Sequence, residues 1–439
     1  MKIIADLHIH SRFARAVSPQ MTIPVISSWA KKKGIDLVAT GDWTHPIWFR
    51  ELKANLVEAG EGLYKLKDES QDSPKFLLST EISSIYSQGE KVRRIHTLIF
   101  APSFEVVEKI NQELANRGAN LLSDGRPIVG LSARAVAGIV LNVDKRCLVI
   151  PAHIWTPWFS LYGSKSGFDS IEECFEDLAP YIYAIETGLS SDPAMNWKIS
   201  ELTNRQIVSF SDAHSPQKLG REATVFEVSE LNYENIRKAI VGNAHDEAGE
   251  RILSTIEFYP EEGKYHYTGH RNCRVIYSPK EARKKGTVCP VCGKKLTVGV
   301  MSRVETLASF DVETESERDE FGVRRVKDKE SRHPPYVMLV PLSEVLSEAL
   351  SVGVGTKTVG DAYDRLIASI GSEFKVLLES SLEDIQKVAG LKVAEGIKKV
   401  RSGDIVIEPG YDGVFGKVKI WKEEEPPGIE EQPDQATLF

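Results

Sequence analysis

Short apolar runs that end in chemistry-bearing residues recur along the first half of the chain. Ile3 and Ile4 lead into Ala5-Asp6-Leu7-His8-Ile9-His10-Ser11. Ile35 to Thr40 leads into Gly41-Asp42-Trp43-Thr44-His45, and Phe76-Leu77-Leu78 into Ser79-Thr80-Glu81. Ile95-His96-Thr97-Leu98-Ile99-Phe100 is a further run. Cys147-Leu148-Val149-Ile150 continues into Pro151-Ala152-His153, and Ile207-Val208-Ser209-Phe210 into Ser211-Asp212-Ala213-His214. Each run has strand length. Helix-like stretches separate them, among them residues 22–33, an amphipathic pattern stopped by Lys31-Lys32-Lys33-Gly34. Strands alternating with helices predict an α/β barrel or wound sheet.

The histidines follow the same grammar. Residues i and i+2 of a strand share a face, so His8 and His10 present both imidazoles to one point. Six of the ten histidines (His8, His10, His45, His96, His153, His214) sit in or just beyond an apolar run, and Asp42, Glu81 and Asp212 occupy equivalent places. Residues at the carboxyl ends of barrel strands converge on one mouth. A convergent set of His, Asp and Glu is the donor set of a multi-metal site, with carboxylates bridging cations. Arg12, Arg15 and Arg221 are candidate phosphate forks, against surface salt bridging as the plain alternative.

On these residues, positions 1–260 resemble the PHP superfamily of metal-dependent phosphoesterases. The matching positions are His8 and His10 of a D-x-H-x-H opening, Asp42 with His45, Glu81, His96, His153 and the Asp212–His214 pair. The resemblance implies a distorted (β/α)7 barrel with up to three metals. It implies one metal on His8, His10, Glu81 and Asp212, with Glu81 bridging to a second on His96 and His153. A third would use His214 with His45 or Asp42. Two positions depart from the family pattern: Trp43 stands where a histidine follows the aspartate, and Arg15-Ala16 occupy the region of a further histidine.

Residues 261–335 read as a zinc module and connector. Positions 263–295 carry nine Lys or Arg against the single acid Glu281. They contain His270-x2-Cys273-x15-Cys289-x2-Cys292, the spacing of a structural zinc site, with His266 as an alternative fourth ligand. Cys147 and Cys174 stand in apolar surroundings and are expected in the core. From Glu313 to Arg332 charges alternate, predicting a solvated helix or exposed connector. His245 and His333 are expected on the surface.

Residues 336–421 hold two candidate helix-hairpin-helix segments, Leu350 to Val359 and Ile385 to Ala394. Gly353, Gly355, Thr356 and Lys357 in the first, and Gly390 and Lys392 in the second, would let backbone N–H groups approach a phosphate. The tail, 422–439, has six acidic residues against one lysine and is expected to be disordered. It finishes in Gln435-Ala436-Thr437-Leu438-Phe439, which resembles the pentapeptide by which repair proteins dock on the sliding clamp.

Composition narrows the function class. The 439 residues are 41% hydrophobic and 27% charged, as in soluble globular proteins. No apolar run approaches a membrane span and no signal-peptide pattern opens the chain, so a cytoplasmic protein is expected, associated with the nucleoid if it acts on DNA. Five cysteines suit a reducing compartment. The net charge of −8 requires that a polyanion be held by local basic patches or bound metals.

The order of barrel, basic zinc module and helical hairpins, through about Trp421, resembles the endonuclease Q family. That resemblance implies DNA repair: nicking on the 5′ side of hypoxanthine, uracil, xanthine or an abasic site, with zinc in the structural and barrel sites and Mg²⁺ or Mn²⁺ for catalysis. In its light Glu81, Asp212, Arg12 and Arg15 are the expected catalytic residues. Trp43, Trp48, Trp155 and Trp158 are expected near the mouth, the last two against DNA, with Glu186 to Asn196 adding polar contacts. A histidinol-phosphatase-like phosphomonoesterase and a catalytically inactive DNA-binding protein are the alternatives.

Overall fold

The computed structural model describes residues 1–242 and 249–422. Seven strands form the barrel: β1 (Lys2–Asp6), β2 (Leu37–Ala39), β3 (Lys75–Gln88), β4 (Lys91–Ala101), β5 (Leu148–Pro151), β6 (Ala184–Glu186) and β7 (Gln206–Val208). β1, β2 and β3 pair in parallel, as do β6 and β7. β4 runs antiparallel to both β3 and β5, which is the distortion in the barrel. Ile154 N donates to Glu186 O to join β5 and β6, and a parallel bridge from Ile9 to Ala213 closes the ring.

Alternation on these strands fills the barrel. Ile3, Ala5, Leu7, Leu37, Leu77, Leu98, Phe100, Leu148, Ile150, Ala184, Val208 and Phe210 form one buried cluster. It leaves no pore, as expected when inward side chains fill a small barrel. A second apolar shell lies outside, between strands and helices, and takes in Cys147 and Cys174.

Helix α1 (Ile23–Lys33) starts with a proline in its first turn and stops at Gly34, whose φ of 84° lets its N–H reach Ala30 O and Lys31 O. Its last lysine is not a solvated terminal charge. Lys33 is buried and pairs with Glu373 at 2.6 Å, and Glu373 also accepts from Leu342 N (3.0 Å) and Tyr363 Oη (2.8 Å). This buried junction docks the C-terminal helices onto the barrel. They are α2 (Leu342–Ala349), α3 (Lys357–Ile370), α4 (Glu373–Leu378), α5 (Leu382–Ala389) and α6 (Leu391–Ser402).

The segment expected as a solvated helix or connector is a β-hairpin, Thr314–Arg318 against Arg324–Asp328. Its alternating charges meet across strands: Lys327 reaches Glu317 at 2.8 Å and Glu315 at 3.4 Å, and Lys329 reaches Glu313 at 2.6 Å. Charge alternation with period two is a strand signature when the pairs face each other, even where Val326 is the only apolar residue of either strand. The hairpin joins the main sheet through Tyr336–Met338, which pairs with Arg251–Glu257. His333 is not a surface residue. It stacks on Trp197 at 5.2 Å and bonds Asp328 at 2.9 Å. His245 lies outside the described residues.

Candidate metal centres

Three groups of donor atoms crowd the barrel mouth, each within 4.8 Å: His8–His10–Glu81, Glu81–His96–His153 and His10–Asp212–His214. Glu81 and His10 each belong to two groups, so the three form one continuous cluster. His10 Nε2 lies 3.3 Å from Glu81 Oε2 and 3.2 Å from Asp212 Oδ1. His8 Nε2 lies 3.8 Å from Glu81 Oε2 and 3.6 Å from Asp212 Oδ1.

The burial pattern tests whether cations fit. His8 Nε2, His10 Nε2 and Asp212 Oδ1 are buried without a hydrogen-bond partner, although buried polar atoms are nearly always satisfied. The opposite ring nitrogens are fully engaged: His8 Nδ1 bonds Glu186 at 2.9 Å, and His10 Nδ1 bonds Asp42 at 2.9 Å. A carboxylate on one imidazole nitrogen and an open second nitrogen is the arrangement that orients a metal-binding histidine. The residues of the His8–His10–Glu81 and His10–Asp212–His214 groups therefore fit a divalent cation, while Glu81, His96 and His153 contact one another directly.

Charge follows from this crowding. Burial opposes protonation of His8, but Glu186 and Asp212 raise its pKa to about 10. Burial also acts against ionised Glu81, yet His96 and Arg126 hold it well below the usual carboxylate range. His96 is pushed down to about 4 by burial.

The backbone is strained where the donors sit. Asp42, His153 and Asp212 have φ of 47°, 31° and 47°, in the left-handed region that non-glycine residues rarely adopt. Close-packed glycines hold two of these turns. A Cβ on Gly188 would lie 2.3 Å from His153 Cβ, and one on Gly125 would lie 2.5 Å from Asp42 Oδ2. Asp6 fixes the third turn by accepting from Ser211 N, Ser211 Oγ and Gly220 N.

Several expected site residues are placed elsewhere. Asp42 grips His10 and accepts from Ser11 N, and so supports a donor rather than joining a group. His45 stacks on Phe13 at 4.5 Å, and its Nδ1 accepts from Trp48 N at the start of helix Pro46–Asn55. The third group takes His10 where Asp42 or His45 was expected. Arg12 pairs with Glu51 at 2.7 Å, the plain alternative. Arg15 is exposed, and its N–H donates to Asp124. Arg221 donates to Ser211 O and Asp212 O, bracing the donor-bearing loop. Trp43, Trp48 and Trp155 are core residues; Trp155 Nε1 donates to Asn196 Oδ1 at 2.7 Å. Trp158 is half-buried with its ring against Tyr265 at 5.5 Å.

Of two further residues of the mouth, Glu186 was expected only to open a stretch adding polar contacts to the lesion pocket, and Arg126 was not singled out from sequence. Glu186 anchors His8 and accepts from His153 N at 2.8 Å. It ends a strand, so the rule that found the histidines applies to it too. Arg126 pairs with Glu81 at 3.0 Å from a loop, where no strand signal points. Asp124, which accepts from Arg15 N and Arg126 N, and Gly125 N, which donates to Phe13 O, tie that loop to the segment after His10.

Away from the barrel, His270, Cys273, Cys289 and Cys292 place their donor atoms within 4.8 Å of one another. Burial pushes the Cys289 thiol up, but N–H groups of Cys292 and Val291 and the His270 ring bring it down to about 6. His266, the alternative ligand, is buried outside the group, and burial lowers it to about 4. The set fits a tetrahedral zinc.

The two hairpins are built alike. α2 and α3 flank exposed Gly353, Val354 and Gly355, with the Thr356 side chain capping α3. α5 and α6 meet at exposed Gly390, φ 90°, followed by exposed Leu391 and Lys392. Nothing lies near a Cβ placed on Gly355 or Gly390, so both tips are open to a ligand. Gln435, Leu438 and Phe439 lie outside the described residues. No helix among the described residues is long and apolar enough to cross a membrane.

Comparison with known proteins agrees with this architecture. Residues 341–404 match the family described as the MJ0043 C-terminal domain. The chain is 31% identical over 435 residues to the uncharacterized protein YqxK of Bacillus subtilis, covering 95% of this chain and 99% of that one. It is 33% identical over 326 residues to the uncharacterized protein MJ0043 of Methanocaldococcus jannaschii, covering 71% of this chain but only 37% of that protein. The lesion-specific endonuclease PfuEndoQ from Pyrococcus furiosus superposes with a TM-score of 0.80 and 34% identity over 95% of both chains. Endonuclease Q in complex with a 27-mer duplex carrying an abasic lesion at the active site gives 0.80 and 33%, over 96% of this chain and 98% of that one.

Proposed function

Because the chain belongs to the endonuclease Q family, we propose that it is a metal-dependent DNA repair endonuclease. Its substrates are duplexes with a deaminated base (hypoxanthine, uracil or xanthine) or an abasic site, cut at the phosphodiester on the 5′ side of the lesion. The observation that carries this reading is the donor cluster sharing Glu81 and His10, on a scaffold that follows endonuclease Q over nearly its whole length.

His8, His10, Glu81, His96, His153, Asp212 and His214 would hold the cations, Mg²⁺, Mn²⁺ or Zn²⁺. Bound there, the cations supply an activated water and charge neutralisation at the phosphate. Glu186 and Asp42 hold the two imidazoles of the H-x-H in register. Arg126, pinned to Glu81, has further guanidinium donors to offer a phosphate oxygen as negative charge develops. His270, Cys273, Cys289 and Cys292 would hold a structural zinc. The exposed tips at Gly353–Lys357 and Gly390–Lys392 suit sequence-independent contact with phosphates flanking the lesion. A mispaired or missing base lowers the cost of exposing the target nucleotide, which favours lesions over normal DNA.

The test is incubation with Mg²⁺ or Mn²⁺ and matched duplexes that are normal or contain uracil, hypoxanthine or an abasic site. Nicking 5′ to the lesion, lost in Asp212→Ala and Glu81→Ala, is expected. Hydrolysis of a phosphomonoester without nicking, or binding without hydrolysis, overturns the reading. For Gln435, Leu438 and Phe439 we propose docking on a sliding clamp. Deleting 434–439 is then expected to abolish capture by the cognate clamp and leave nicking of a free oligonucleotide unchanged; equal capture refutes it.

A further inference from the structure

Beside the metal cluster the surface opens into a cavity of about 330 Å³ lined by Lys91, Val92, Arg94, Trp158, Lys165 and Ser166. Three cations line it and no acid does. The spacing along β4 places it: positions 92, 94 and 96 share one face, so Arg94 stands one step outward from His96, about 7 Å along the strand. That distance is roughly one backbone repeat of an extended nucleic-acid strand.

The cavity is built rather than incidental. The chain after His153 folds back along the edge of β4, with His96 N donating to Phe159 O (3.2 Å) and Arg94 N to Ser166 O (3.3 Å). Two glycines permit this close return: a Cβ on Gly163 would lie 2.6 Å from Thr156 O, and one on Gly167 2.4 Å from Gly163 N. Phe159 is held at φ 64° with its ring 4.9 Å from His96, and the Arg94 guanidinium lies 5.5 Å from that ring. The Trp158 ring lies against Tyr265 of the zinc module. Two neighbouring aromatic residues, Phe159 against His96 and Trp158 against Tyr265, thus stand between the donor cluster and the zinc module, with the Arg94 guanidinium beside the first.

We infer that this cavity binds the nucleotide next to the scissile phosphate on the cut strand. Lys91, Arg94 and Lys165 would take its phosphate and Trp158 would stack on its base. A π-face with nearby guanidinium and ammonium groups is the chemistry of sequence-tolerant single-strand binding. The inference rests on the endonuclease reading for the identity of the strand, while the cavity's preference for nucleic-acid phosphate is testable without it.

The experiment measures binding of a fluorescent 27-mer duplex with one abasic site, across salt concentrations, to the wild type, Lys91→Ala/Lys165→Ala and Trp158→Ala. Loss of two phosphate contacts lowers the slope of log affinity against log salt by about 1.4–1.8. Loss of the stacking ring weakens binding roughly tenfold with the salt slope unchanged. Both variants raise KM with kcat retained, since neither touches the donor cluster. Slopes and affinities equal to the wild type overturn the inference. Altered slopes in a protein that binds but never nicks leave the subsite standing and remove the endonuclease reading instead. Trp158→Phe, which keeps a π-face, restores most of the affinity. Failure of Trp158→Phe to do so, with melting temperatures unchanged, assigns Trp158 to packing against Tyr265 and refutes its stacking role.

Discussion

Gly188→Ala connects local backbone geometry to catalysis. Gly188 has φ 59°, and its added Cβ would meet His153 Cβ at 2.3 Å and His153 Cα at 2.7 Å. The left-handed backbone costs alanine about 1–2 kcal/mol. Overpacking against a backbone that cannot rotate away adds about 1–3 kcal/mol, for a total of about 2–5 kcal/mol. His153 has nowhere to yield without loss, because Nε2 is 3.0 Å from Glu81, Nδ1 is 3.2 Å from Ser160 Oγ and its N–H is held by Glu186. Restoring an ordinary contact moves the imidazole by about 1 Å, which, with His153 holding a cation as proposed, is expected to cost on the order of 10²-fold in rate.

The matched control is Gly118→Ala, at φ 86° with nothing near the new Cβ. It bears the backbone cost alone, so a small stability loss and full activity are expected. The assay is a melting curve beside single-turnover nicking of an abasic duplex, for both variants. If Gly188→Ala nicks within threefold of the control, the Gly188–His153 contact does not set the position of that donor.

Three further outcomes are expected. Arg126→Ala lowers kcat on an abasic duplex by about 10²–10³-fold with metal content unchanged, and Arg126→Lys recovers part of it; an unaltered kcat removes Arg126 from the chemistry. Cys289→Ser and Cys292→Ser each lose one bound zinc by elemental analysis and destabilise residues 263–295, and unchanged zinc refutes the site. Burial pushes Glu257 up to about 8, so the folded state keeps a proton that the unfolded carboxyl (ordinarily ~4.3) has released, and stability falls as pH rises from 5 to 8. Glu257→Gln keeps an acceptor for Ser209 and Thr255 and flattens that fall; parallel melting curves across this range contradict it.

What could be read from the sequence, and what could not, divides along physical lines. The convergence of His8, His10, Glu81, His96, His153, Asp212 and His214 on one cluster was legible because strand periodicity fixes both their face and their end of the barrel. The grouping of His270, Cys273, Cys289 and Cys292 was legible because the short spacing within each pair brings its two donors together. Asp42 and His45 obey the same strand-end rule, yet one supports His10 and the other caps a helix. Position along a strand cannot tell a donor from the residue that orients it. Tryptophans near the mouth read as exposed because they neighbour the site in sequence, but Trp43, Trp48 and Trp155 have more apolar area to bury than the mouth can leave wet. Arg126 was invisible because its loop is placed by tertiary contacts with residues 13, 15 and 44, which leave no periodic trace.

The same contacts explain why so strained a site holds its shape. Barrel closure between the first and last strands runs through the bridge from Ile9 to Ala213 and the bond from His10 N to Ala213 O. Each of those residues lies beside or within the donor set: Ile9 between His8 and His10, and Ala213 between Asp212 and His214. Donors some 200 residues apart in sequence therefore meet where the ring closes, with Asp212 in its left-handed turn beside the closing bridge. Asp6, inside the first strand, accepts three hydrogen bonds from the 211–220 loop and makes that turn part of the closed barrel. The cost of a non-glycine residue at positive φ, about 1–3 kcal/mol, is offset by interactions that form once for the whole barrel. Site assembly and completion of the fold are then one cooperative event, and an opened barrel loses its donor geometry together with its stability.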